Sequence, residues 1–174
     1  MNNEKERTIL EARARILALE PERETAAGKR LDIVEFFLAN ESYGIESSFV
    51  REVFPLKEFT HLPGTPSFVL GIVNLRGRIL SVVDLKKFFG IPEKGLGDLN
   101  KIIVIGDGPM EFGILADGII GARAIPLDSI QPPIPTVTGI CAEYLKGVTG
   151  ERVIVLDAKR ILEDKKMVVD MDAD

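Results

Sequence analysis

The feature that most constrains this chain is that its β-patterned part contains itself twice. YGIESSFVREVF, from Tyr43, lies beside FGILADGIIGAR, from Phe112, with Gly44 meeting Gly113, Ile45 meeting Ile114 and Val50 meeting Ile119 at one offset of 69 positions. At the same offset Pro63 meets Pro132 and Pro66 meets Pro135. Further on, and with small insertions, FVLGIVNLRGRILSVVDLKKFF is similar to YLKGVTGERVIVLDAKRIL, so that Phe68 answers Tyr144, Gly71 answers Gly147 and Asp84 answers Asp157. Alternating apolar residues match by chance in any two β-rich stretches. Glycine, proline and aspartate each ask for a particular backbone geometry, and several of them in register signal a duplication. Each unit spans about 70 residues, close to the smallest size that closes a small barrel alone. Two such units in one chain meet along a junction, and junctions of this kind form grooves.

The local patterns agree with a mainly β chain. DIVEFFLANESYGI holds two apolar runs around Asn40-Glu41-Ser42, which predicts a hairpin. Phe68–Leu75 and Arg78–Leu85 form a second pair of strands around Arg76-Gly77, and Lys101–Gly106 and Glu111–Ala116 a third around the Asp107-Gly108 turn. Arg152–Asp157 is a late strand rich in Val and Ile. Short helices are expected at SSFVREVF, DLKKFFG and DAKRILEDKK. Many short strands punctuated by Gly and Pro suggest barrels rather than a layered α/β sheet. Ahead of them, Glu4–Glu20 reads as a helix, with Ile9, Ala12, Ile16 and Leu19 at spacings of three and four, stopped by Pro21 and followed by the polar linker PERETAAGKR. That helix either packs on its own domain or docks on a partner or a second copy. The expected division is 1–30 for helix and linker, 31–163 for the duplicated domain and 164–174 for an acidic tail. Within the domain, the first barrel covers about 31–90 and the second about 101–160, with strand exchange between them left open.

The chemistry that the sequence offers is sparse. Net charge is −5 and mixed along the chain, so no broad basic face invites nucleic acid. No apolar run reaches the ~20 residues of a membrane helix, and MNNEKERTIL lacks the apolar centre of a secretion signal. The single cysteine, Cys141, excludes an internal disulfide and a cysteine-based zinc cluster, so a reducing, cytoplasmic setting is expected. His61 is the single histidine and sits in the turn-rich FTHLPGTP. No nucleophile elbow, Walker loop, zinc helix or complete calcium loop is present. The composition thus predicts no enzyme, no metal and no cofactor.

YGIESSFVREVF, LPGTPSFVLGIVNLRGRILSVVDLKKFFG and FGILADGIIGARAIPLDSIQPP resemble the CheW-type chemotaxis adaptors over about 32–163. The most specific string is Gly71-Ile72-Val73-Asn74-Leu75-Arg76-Gly77-Arg78-Ile79, followed by Val82-Val83-Asp84-Leu85. The resemblance implies two SH3-like five-stranded β-barrels, in agreement with the repeat. It also implies a non-enzymatic scaffold, cytoplasmic and recruited to membrane receptor arrays without inserting in the membrane. Its partners would be the cytoplasmic tip of methyl-accepting chemoreceptors and the regulatory domain of a CheA-type histidine kinase. Carried onto this chain, the receptor groove has Val50, Glu52 and Val53 on one wall, Ile119 and Ala122 on the other, and Arg76 beside them. Phe54, Leu56 and Phe59 are candidates for the kinase side.

Arg76 has two readings at this stage: it hydrogen-bonds to the partner, or it pairs with Glu52 and holds the groove walls. Two alternatives to a chemotaxis adaptor also stand, a CheW-type adaptor of a non-motility chemosensory pathway and a small-molecule sensor using the groove. The chain departs from the family at Ser81, where proline is common, at Ser47-Ser48 and at the small pair Gly121-Ala122.

Overall fold

A computed structural model describes residues 28–92, 100–133 and 140–167. The helix expected at Glu4–Glu20, its linker up to residue 27 and the end of the acidic tail from 168 lie outside the described residues.

The fold is mainly β, with ten strands in two five-stranded sheets among the described residues. In chain order the strands are β1 (Arg30–Leu38), β2 (Glu41–Glu46), β3 (Val50–Pro55), β4 (Val69–Leu75), β5 (Arg78–Val83), β6 (Lys101–Gly106), β7 (Glu111–Ala116), β8 (Gly118–Pro126), β9 (Leu145–Val148) and β10 (Ile154–Leu156). Sheet A runs β8-β1-β2-β10-β9 and sheet B runs β3-β6-β7-β5-β4. Each sheet therefore takes strands from both halves, 31–90 and 101–160: β3 crosses from the first half into sheet B and β8 from the second into sheet A.

The repeated residues are the ones that fix this geometry. Val155 pairs in parallel with Gly44 in sheet A, and Val82 pairs in parallel with Gly113 in sheet B. Gly71 and Gly147 sit at φ +154° and +157°, and a Cβ there would lie 2.3 Å from the Thr60 carbonyl oxygen and 2.1 Å from that of Gln131. Only glycine lets those chains approach. The approach closes two matching bridges, Thr60 with Ile72 and Gln131 with Val148. Asp84 and Asp157 each accept a backbone N–H and cap the helices α1 (Leu85–Phe89) and α2 (Ala158–Glu163). Their own N–H groups donate to the carbonyls of Phe68 and Tyr144, both at 2.7 Å.

Three cores follow from strand alternation. Phe36, Leu38, Tyr43 and Ile45 of sheet A meet Ile103, Ile105, Phe112 and Ile114 of sheet B in one shared central core, with Leu85, Phe88, Ile161 and Leu162 of the helices. Each fully buried aliphatic side chain contributes about 1.5–3 kcal/mol there. On its other face sheet B holds Val73, Leu80, Val82, Ile102, Val104 and Leu115. Sheet A holds the smaller set Leu31, Ile33, Ile125, Val153 and Val155.

Three local expectations change. SSFVREVF is a 3-10 turn (Ser47–Phe49) followed by β3, because pairing with β6 (Val53 opposite Ile103, Phe54 opposite Ile102) satisfies an extended backbone there. The first hairpin turns at Ala39-Asn40, between paired Leu38 and Glu41, one residue earlier than the Asn-Glu-Ser signal suggests. Gly118–Pro126 is a nine-residue strand that the sequence pattern did not announce. No helix among the described residues is long and apolar enough to cross a membrane.

Candidate docking site

The site begins with a two-residue turn. Leu75 and Arg78 are paired, and Arg76 (φ +54°) and Gly77 (φ +85°) occupy the left-handed positions between them, as a type I′ hairpin requires. Asn74 Oδ1 accepts the Gly77 N–H at 2.9 Å and stabilises the bend. This lifts Arg76 to the tip of the β4–β5 hairpin. There its guanidinium lies 3.0 Å from Glu52 on β3, with the arginine side chain 79% exposed and the glutamate 23%. The pairing with Glu52 is thus made, while most of the arginine side chain faces solvent. A second pair, Arg78 with Glu111 at 3.0 Å, braces the same hairpin against β7.

The aliphatic positions sit where the chain crosses between sheets. Val50 is the first residue of β3 after the crossover from sheet A, and Ile119 follows the crossover from β7 into β8. Both are half-buried against the shared central core, together with Val34. Val53 on β3 is exposed, and Ala122 on β8, opposite Val34, is exposed as well. The structure therefore brings Glu52 and Arg76 into contact, joins Val50 and Ile119 through one core, and presents Val53 and Ala122 to solvent.

The residues assigned to the kinase side divide. Phe54 and Leu56 are half-buried against sheet B's own core, so they belong partly to its interior, while Phe59 is exposed. Phe54 lines a recess of about 390 Å³ with Pro55, Lys57, Val73, Asn74 and Leu75. A neighbouring recess of about 500 Å³ is lined by Lys57, Glu58, Phe59, Thr60, Ile72 and Asn74.

Sheet A has a recess at the corresponding place, with different chemistry. It holds about 410 Å³ and is lined by residues including Arg123, Thr149 and Glu151. At the repeat offset Arg123 stands where sheet B has Phe54, and Glu35 where it has Val104. Arg123 Nε lies 2.9 Å from the buried Glu35 and its Nη1 donates to Glu151 at 2.6 Å. The hydrogen bond to Glu151, with Glu35 adding its charge against the cost of burial, raises the Arg123 guanidinium above the usual arginine range.

Sequence reasoning missed the lining residues Val73, Asn74 and Leu75, and the exposed apolar side chains of Phe37, Ile79 and Ile120. One signal for the asymmetry was present. Thirteen positions separate Gly71 from Asp84 and ten separate Gly147 from Asp157, so the second hairpin is three residues shorter, with Arg152 (φ +66°) standing five positions after Gly147 as Arg76 (φ +54°) stands five after Gly71.

Two sheets built from a duplicated unit, with aliphatic residues at the crossovers and a charged hairpin tip beside β3, define a double-sheet docking module. The chain belongs to the CheW-like domain family, whose domain matches residues 32–166. It is 32% identical over 146 residues to the chemotaxis protein CheW of Treponema pallidum, covering 80% of this chain and 86% of that one. It is 37% identical over 131 residues to the protein FrzA of Myxococcus xanthus, covering 74% and 81%. Its structure is similar to the crystal structure of the scaffolding protein TtCheW from Thermoanaerobacter tengcongensis, with a TM-score of 0.69, 34% identity, and coverage of 79% of this chain and 96% of that one.

Proposed function

We propose that this chain is a non-enzymatic adaptor coupling the cytoplasmic tip of chemoreceptors to the regulatory domain of a CheA-type histidine kinase, in the cytoplasm beneath receptor arrays. The observation that carries the reading is the Arg76–Glu52 tether beside the crossover aliphatics, in a chain of the CheW-like family. A receptor tip is a helical pair with an apolar stripe. Val50, Val53, Ile119 and Ala122 offer it aliphatic surface, and each branched side chain that it buries contributes about 1.5–3 kcal/mol before association costs. Arg76 adds orientation by donating to a carboxylate or to helix-end carbonyls, because its guanidinium is held by one glutamate and keeps free donors outward. The kinase domain docks at the sheet B recesses, one lined by Phe54, Val73 and Leu75 and the other by Phe59 and Ile72, with Leu56 packed on the same core.

Reconstitution tests the reading. With receptor fragments, kinase and labelled ATP, addition of the protein changes kinase autophosphorylation, and the protein itself takes no label. Binding to each partner occurs at tens of micromolar or tighter, about −6 kcal/mol or better. Binding to neither partner in that range would overturn the proposal.

A further inference from the structure

Asp117 is the single residue between β7 in sheet B and β8 in sheet A, and it gathers contacts from both sheets. Its N–H donates to the Phe37 carbonyl at 2.9 Å. Its Oδ2 accepts the N–H of Ala39 at 2.6 Å, in the β1–β2 turn of sheet A. Its Oδ1 accepts Lys86 Nζ at 2.6 Å and Asn100 Nδ2 at 3.3 Å, from α1 and from the residue before β6, which belong to the sheet B side. Asn100 donates also to the Ala116 carbonyl at 3.3 Å. The Lys86 side chain is 3% exposed, and a buried ammonium is expensive unless it is paired. Ala39 holds φ +55°, a left-handed position that a non-glycine residue takes at a cost, and the carboxylate fixes its N–H.

Among the described residues, the other crossover shows no such device. At the offset of 69 Asp117 corresponds to Ser48, which is exposed, and in the alignment of Asp84 with Asp157 Lys86 corresponds to Lys159, which is also exposed. The seam is therefore braced at one crossover, the one that delivers Ile119 two residues later and Ala122 after it. We infer that Lys86 and Asp117 are positioning residues, which hold the β8 wall of the docking groove in register with the β3 wall. The inference rests on the receptor reading of that groove, and its test separates the two.

Spin labels at Val53→Cys and Ala122→Cys, both exposed positions, in a Cys141→Ser background report the separation of the walls by pulsed electron resonance. In unlabelled protein, the affinity for a receptor-tip hairpin is measured in parallel. Lys86→Met is expected to broaden the distance distribution and weaken receptor-tip binding roughly tenfold. Arg160→Ala, which removes a surface side chain of α2, leaves the distribution unchanged. If Lys86→Met does not fold, Asp117→Asn, which retains an oxygen acceptor and removes the charge, reads the same quantity. A folded variant with the wild-type distribution overturns the inference. A broadened distribution with wild-type affinity upholds the brace and overturns the receptor reading.

Discussion

The two sheets share a backbone and differ in chemistry. Both keep the close-approach glycine, the helix-capping aspartate and the matching bridge at the edge. Sheet B lines its recess with Phe54, Val73 and Leu75 and extends a hairpin that carries Arg76. Sheet A places Arg123, Thr149 and Glu151 around the equivalent recess and closes its hairpin three residues sooner. Duplication has preserved the residues that geometry dictates and let the remainder diverge. The molecule therefore has a repeated scaffold whose two recesses differ in chemistry.

The comparison can be broken first at the shared glycines. Gly71→Ala and Gly147→Ala should each cost about 3 kcal/mol in urea denaturation, because both the left-handed φ and the facing carbonyl reject a Cβ. A marked cost at one and none at the other would show that the two bridges are not equivalent. The next largest effect is expected at the ion cluster of sheet A. Arg123→Phe, which copies sheet B, leaves the buried Glu35 unpaired and should cost about 2–3 kcal/mol. Adding Glu35→Val, which copies Val104, should recover most of that loss. If the double variant stays as unstable as the single, the recesses differ by more than their side chains.

A smaller effect is expected at the paired positions Phe68 and Tyr144. Burial, reinforced by the hydrogen bond to Asp164, pushes the Tyr144 hydroxyl up to about 12. The folded value exceeds the unfolded one near 10, so the unfolded chain ionises first. The contribution is complete below pH 10 and is lost as pH rises through about 12. Tyr144→Phe should flatten the alkaline part of the stability profile, and an unchanged slope would contradict this. The smallest stability change is expected for Arg76→Ala, within about 0.5 kcal/mol because the pair is exposed. The same variant should weaken receptor-tip binding roughly threefold to tenfold, read by calorimetry.

Much of this was legible in the sequence where a residue type forces a conformation. Asp107-Gly108 and Arg76-Gly77 marked hairpins, and Asp84 and Asp157 stood at the starts of two short helices. The repeat itself announced two similar sheets. β3 was misread because Phe49, Val50, Val53 and Phe54 fall at helical spacing, and the partner that makes them a strand, β6, lies some fifty positions away. β8 escaped notice because two glycines and an irregularity between its pairings with Glu35 and Phe36 disturb the alternation. The turn at Ala39 and the pairing of Lys86 with Asp117 depend on contacts between distant segments, for which local sequence carries no signal. The site residues drawn from the family string fell on the crossovers and the hairpin tip. The lining of the recesses became visible only when β3 and β4 were placed at the edges of one sheet.

The proposed function requires that one seam of the duplicated scaffold, between β3 of sheet B and β8 of sheet A, receive a helical guest. Methyl-resolved NMR of the full chain, titrated with a soluble receptor-tip hairpin, tests it directly. The methyl signals of Val50, Val53, Ile119 and Ala122 should shift together with increasing hairpin, while those of Ile33, Val153 and Val155 in the small core of sheet A stay in place. Shifts confined to the small core of sheet A, or none at saturating hairpin, would contradict it.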